Sequence, residues 1–264
     1  MPRACHGTDP NLTWTMSSIS IPVDILRAIL EHLDRGDLAK ICLLNKICCS
    51  CSQDILYRDI YLPRNLVCHT LAQSTLLARR VRSFTMRCMH TELSKALRNM
   101  TCLRSLKLLI FDGSSNVLDG CTFNLDTFTC GFPYNDYLLK FLRSQPCLRE
   151  AHFLTPYSLP ELLDLEPTCI PNLTRITAPY TWLPYIVPGR PVSEIASIGY
   201  RVGNPIDFSF FALSTVPIQK FETSYFPLTN TELIASIFPS LMHLTIEVFL
   251  KISFFQKVCA IFFY

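Results

Sequence analysis

With 264 residues, 49% of them hydrophobic, and a mean hydropathy of +0.27, the chain has room for one large or two modest domains and much apolar surface to bury. Its 24 basic and 21 acidic residues leave a formal charge of +3 with no long run of either sign, which excludes the dense basic field that a phosphate backbone needs. No nucleic-acid partner is expected. Eight glycines, and no Gly-x-Ser-x-Gly, phosphate-binding glycine loop or His-Glu-x-x-His, argue against an enzyme.

Residues 1–18 read as a flexible leader, because they hold no uninterrupted apolar run of secretory length and include Asp9 and Pro10. The thirteen cysteines are an odd number, scattered along a chain without an export signal. They read as reduced thiols of a cytoplasmic or nuclear protein, and the sequons at Asn11, Asn99 and Asn172 are then not glycan acceptors. Cys48 and Cys51 form a Cys-x-x-Cys with no second pair to complete four zinc ligands, so neither metal nor cofactor is expected.

From residue 19 to 62 the pattern is helical. Pro22 suits a first helical turn, where its missing N–H costs nothing. Ile25, Leu26, Ile29, Leu30 and Leu33 then recur at helical spacing. Asp34, Gly36 and Asp37 supply turn and cap chemistry before a second helix, expected from near Leu38 through Ile41, Cys42, Leu43 and Leu44, whose apolar groups point in nearly every direction. A piece this short carries more apolar side chains than it can bury alone, which is the mark of a docking module.

These residues resemble the F-box family. Ile21-Pro22 stands at the opening Leu-Pro and Asp24 at the acid that follows. Asp34 and Asp37-Leu38 match the turn, Leu44-Asn45-Lys46 replaces Val-Ser-Lys, and Tyr57-Arg58 takes the place of a late Trp-Arg. Asn45 where a small hydroxyl residue is usual, and Cys48 where an aromatic is usual, depart from the pattern. The resemblance implies a three-helix fold that docks on a Skp-family adaptor, and through it on a cullin-RING ligase, using Pro22, Ile25, Ile29, Leu33, Leu38 and Leu44.

Residues 63–80 form a connecting segment, and from 81 to 249 a different pattern recurs. VRSFTM, LRSLKL, LDTFTC, LREAHF, LTRITA, a degenerate VSEIAS, IQKFET and LMHLTI start 22, 22, 23, 25, 19, 26 and 23 residues apart. That spacing is the range of leucine-rich repeats. Apolar helical runs such as LSKALRNMTCL, LLKFLRSQPCL and LIASIFPSL precede strands, so each repeat is expected to be one helix and one strand. The expected fold class is α/β: an irregular leucine-rich-repeat solenoid with a parallel sheet. The asparagine that many such repeats carry after the strand is missing, Phe111 and Pro156 standing near its place.

ARRVRSFTM, followed by ALRNMTCLRSL, LDGCTF, CGFPYNDYLLKFLRSQPCLRE and VPGRPVSEI, resembles the leucine-rich-repeat F-box proteins numerous in mushroom-forming fungi, over most of the chain. The resemblance implies a substrate-recognition subunit of an SCF-type ubiquitin ligase, itself without catalysis. Target contacts then fall to the outward strand positions Lys107, Thr127, Thr129, Glu150, His152, Arg175, Thr177, Lys220, Glu222, His243 and Thr245. The sequence does not name the target. The alternative is a repeat scaffold unconnected to ubiquitin, whose helical N-terminus is a cap. Residues 250–264 form an atypical apolar and aromatic tail that reads as a truncated or misread end. Lys251 and Lys257 interrupt it and it is shorter than the roughly 20 residues of a spanning helix, which disfavours a membrane partner.

Overall fold

The computed structural model describes residues 21–61, 65–155, 165–198, 208–223, 237–248 and 258–262. The expected leader, the first four residues of LIASIFPSL and most of the tail lie outside these residues. The chain divides into two compact units, Met1–Leu56 and Tyr57–Tyr264.

The described residues of the first unit form three helices. Helix α1 (Val23–Leu30) begins directly after Pro22, whose carbonyl accepts from the Leu26 N–H at 2.9 Å. Helix α2 (Arg35–Ile41) is capped by Asp34, whose carboxylate accepts from the Asp37 N–H at 2.9 Å. Helix α3 (Lys46–Leu56) follows Asn45, whose side-chain carbonyl accepts from the Cys48 N–H at 2.9 Å. The second helix thus starts and stops about one turn earlier than expected, because Asp34 is its cap and Cys42–Leu44 form a turn. Asn45 thereby satisfies a backbone donor of the first turn of α3. Leu30, Leu38 and Cys51 are the buried centre, half-covered by Leu26, Leu33, Ile41, Ile55 and Leu56. With so small a core the caps matter: Asp34→Ala and Asn45→Ala should each cost about 1 kcal/mol, read as a lower urea midpoint of this unit by circular dichroism.

The second unit is built on one sheet whose strands lie in chain order. Strand β1 (Asp59–Tyr61) is followed by helices α4 (Asn65–Gln73) and α5 (Thr75–Ala78), β2 (Ser83–Met86), α6 (Leu93–Asn99), β3 (Ser105–Leu108) and β4 (Thr127–Cys130). Then come α7 (Asp136–Arg143), β5 (Glu150–Phe153), β6 (Arg175–Pro179), α8 (Leu183–Ile186), β7 (Glu194–Ile198), β8 (Lys220–Thr223), β9 (His243–Val248) and β10 (Val258–Phe262). The nine strands β1 to β9 are parallel, and β10 pairs antiparallel with β9.

Ser83, Ser105, Thr127, Glu150, Arg175, Glu194, Lys220 and His243 stand in one row across the sheet. Their separations equal those of the segments aligned in the sequence, and the degenerate VSEIAS is a full strand. A recurring backbone device fixes this register. At each of β2 to β9 two successive N–H groups converge on one carbonyl of the preceding repeat, those of Arg82 and Ser83 on Arg58, those of Arg104 and Ser105 on Arg82, and so on to Met242 and His243 on Gln219.

Strand β1 and the two helices after it were not foreseen. Tyr57, placed with the N-terminal module by the sequence, packs against the core of the second unit. The expectation of one helix per repeat holds for α6 and α7, the latter capped by Asn135 through the Leu138 N–H. Among the described residues, short 3-10 turns, Ser115–Leu118 and Ser209–Leu213, stand where a helix was expected before β4 and β8, and between β6 and β7 the turn Tyr180–Trp182 leads into the four-residue α8. In the first of these, Asp119-Gly120 stops the turn, Gly120 adopting φ +74°. Side-chain amides bridge successive segments: Asn99 donates to the Leu71 and Ala72 carbonyls, Asn172 to that of Pro146. Buried Gln145 accepts from the Leu125 N–H at 2.9 Å and donates to the Phe123 carbonyl at 3.1 Å. Two sequon amides are therefore already occupied as structural donors.

Candidate interaction surfaces

In the first unit, helix α1 is apolar on two sides. Leu26 and Leu30 turn to the core, while Ile25 (51% exposed) and Ile29 (50%) lie one turn apart on the uncovered side, with Pro22 also exposed. Leu44 is 71% exposed in the turn before α3. The exposed set also includes Ile21, Val23, Leu43 and Ile47, which the sequence reading did not assign to docking. So much exposed aliphatic surface on so few residues is the composition of a contact face. Leu33 is half-buried against the core, and Leu38, at 2% exposure, belongs to it. The assignment of Leu38 to a docking surface is corrected accordingly: helix α2 starts early enough to turn it inward.

In the second unit, side chains alternate between the two sheet faces. Ile60, Phe84, Leu106, Phe128, Ala151, Ile176, Ile195, Phe221 and Leu244 form one register row, all buried in the core. The two flanking rows face the other way. One runs Ser83, Ser105, Thr127, Glu150, Arg175, Glu194, Lys220, His243, and the other Thr85, Lys107, Thr129, His152, Thr177, Ala196, Glu222, Thr245. Every sequence-nominated target residue falls in these rows. Lys107, Arg175 and His243 are exposed and most others half-buried, but Thr129 is buried and offers little contact area. The reading left out Ser83, Ser105, Glu194 and Ala196 of these rows, and Thr85, which is buried like Thr129; continuing the same alternation through the degenerate segment would have found Glu194 and Ala196.

Charge is concentrated over β5 to β8. Arg175 pairs with Glu150, and Lys220 with Glu222 at 2.7 Å. The Glu222 carboxylate, through that hydrogen bond, holds the Lys220 ammonium above its usual range. His152 Nδ1 shares a hydrogen bond with Thr177 Oγ1 at 2.8 Å. A concavity of about 170 Å³ opens here, bordered by His152, Arg175, Thr177, Glu194, Ala196, Lys220 and Glu222.

Burial holds the His152 imidazole below its usual range; Glu150 opposes the shift, while Lys107 and Arg175 add to it. The unfolded ring therefore takes a proton near pH 6.5, before the folded ring does. Stability contributed by the neutral ring is full above that pH and is lost as pH falls toward the lower folded value. Urea unfolding at a series of pH values should show wild type losing more stability than His152→Gln as the pH falls below about 6.5; parallel curves would contradict this.

The Cys68 thiol, next to His69, is buried and pushed up to about 11, while His69 pairs with Glu92 at 3.0 Å. Burial likewise raises the Cys121 and Cys130 thiols to about 12. Such thiols are protonated packing groups at neutral pH. Among the described residues no helix is long and apolar enough to cross a membrane. No protein-family model matches the chain, and a search of curated proteins finds no match.

Proposed function

We propose that this chain is the substrate-receptor subunit of an SCF-type cullin-RING ubiquitin ligase, acting in the cytoplasm or nucleus. In this reading the first unit is an F-box that docks on a Skp-family adaptor. The second is an irregular leucine-rich-repeat solenoid that holds the target on its outward sheet rows. The observation that carries the proposal is the uncovered aliphatic face of Pro22, Ile25, Ile29 and Leu44 on a unit whose buried centre is three side chains. A free surface of that kind favours a permanent partner over solvent. The strand register agrees with a stack of repeats, each contacting its neighbours.

The chain performs no bond chemistry in this role. It raises the local concentration of target beside the transferring subunits, an effect of tethering alone. Co-expression with a Skp-family adaptor tests the proposal. Recovery of a complex that a cullin then joins is the expected result. A folded chain that recovers no adaptor would leave the second unit as a repeat scaffold unconnected to ubiquitin.

A further inference from the structure

We propose that Cys42 and Cys49 are a reversible modification site, where hydrogen peroxide joins the two sulfurs in a disulfide that staples the end of α2 to α3. The inference goes beyond the docking role and holds whether or not the first unit meets an adaptor.

The turn between the two helices places the pair. Cys42 directly follows α2 and Cys49 stands near the start of α3. The chain folds back between them, so that Cys42 Sγ lies 3.9 Å from the carbonyl oxygen of Cys49. Burial raises the Cys42 thiol above its usual range, and the Cys49 thiol adds to the shift through its charge and a side-chain hydrogen bond. The two thiols therefore act on each other directly.

Access and competition favour the same pair. Both residues are half-buried, within reach of a small oxidant, whereas Cys68 and Cys130 are completely buried. Cys51 is spent in the core of the first unit at 2% exposure. Cys48 lies about 100° round the helix from Cys49. Cys42 is thus left with Cys49 as its partner.

The thiolate of one residue attacks peroxide, giving a sulfenic acid as the O–O bond breaks and hydroxide leaves. The thiolate of the other then displaces the sulfenic hydroxyl, so that an S–S bond forms and an S–O bond breaks. Two thiols and one peroxide become one disulfide and two waters; the sulfur-bound protons end on water, and two electrons pass from sulfur to the peroxide oxygens. A soluble dithiol reverses the bond by exchange. The closed loop carries the exposed side chains of Leu43, Leu44 and Ile47, and the bond fixes the turn that presents them. It also removes open conformations from the unfolded chain. A unit whose buried centre is three side chains should gain clearly from that.

The full chain is treated with hydrogen peroxide at neutral pH and digested with trypsin without reduction. Mass spectrometry should find peptide 41–46 joined to peptide 47–58, with fragmentation placing the bond on Cys49. Dithiothreitol should release it. Cys42→Ser and Cys49→Ser should abolish the linked pair, and Cys48→Ser should keep it. Urea unfolding followed by circular dichroism should show the midpoint of the first unit rising by about 1 M on oxidation of wild type, and no rise in Cys42→Ser. Absence of the linked pair from folded wild type, a bond from Cys42 to Cys48 or Cys51 instead, or a midpoint that the bond leaves unchanged or lowers would overturn the inference. None of these readouts involves an adaptor, so failure here and failure of the receptor reading are told apart.

Discussion

Replacing Arg190 by methionine is expected to cost about 3 to 5 kcal/mol of folding stability, the usual loss when a buried charged network loses its hub. The side chain is completely buried, yet it has no ion-pair partner among the described residues. Its guanidinium is held by backbone carbonyls. Nε donates to Cys169 at 2.9 Å, Nη1 to Ile186 at 2.7 Å, and Nη2 to Leu165 at 3.1 Å and Glu166 at 2.6 Å. Burial lowers its affinity for a proton, but a guanidinium stays charged at any physiological pH.

The arginine thus ties Leu165, Glu166 and Cys169, before β6, to Ile186 at the end of α8. Beside one of its acceptors, Ile170 adopts φ +48°, a conformation costly for a branched side chain. The turn into Arg190 uses Gly189 at φ +73°. Methionine would fill the space but leave the Leu165 and Cys169 carbonyls without their donor, so packing cannot compensate. Arg190→Lys, with three donors on one nitrogen, should recover only part of the loss. Urea unfolding of the full chain measures both; a loss under about 1 kcal/mol for methionine would show that the carbonyls find other partners.

Much of the second unit was legible because a parallel sheet repeats its register. Once Phe84, Leu106, Phe128, Phe221 and Leu244 are aligned as buried positions, the outward rows follow from alternation. What escaped was set by tertiary context. Arg190 carries the most polar side chain of its segment, and no periodic pattern marks it as interior. The strand Asp59–Tyr61 is three residues long, too short for a period of two to show, and its pairing with β2 exists only in the assembled sheet. The concavity depends on Ala196 lying between longer neighbours on adjacent strands, a relation invisible until the pairing is known. In the first unit both sides of α1 were read as apolar, but which side is spent on the internal core depends on where α2 and α3 lie. Leu38, on α2, is turned into that core because Asp34 starts the helix a turn earlier than its spacing suggested.

The second large expected effect concerns the uncovered side of that helix. Ile25→Asp together with Ile29→Asp should weaken adaptor binding at least about 100-fold, since each isoleucine would lose roughly 1.5 to 3 kcal/mol of burial in the complex. The added carboxylates would also have to be desolvated at the interface. Both positions are half-exposed in the chain itself, and Leu26, Leu30, Leu38 and Cys51, which hold the unit together, are untouched. The cost to folding should stay near or below about 1 kcal/mol. Loss of binding with an intact fold would separate a docking surface from a merely structural one.

The most direct measurement is a calorimetric titration of the full chain with a Skp-family adaptor, wild type beside the Ile25→Asp, Ile29→Asp variant, with circular dichroism to verify that both are folded. The account predicts saturable binding by wild type, with a Kd of about 1 µM or tighter, and none measurable by the variant. Equal binding by both, or no binding by a folded wild type, would contradict it.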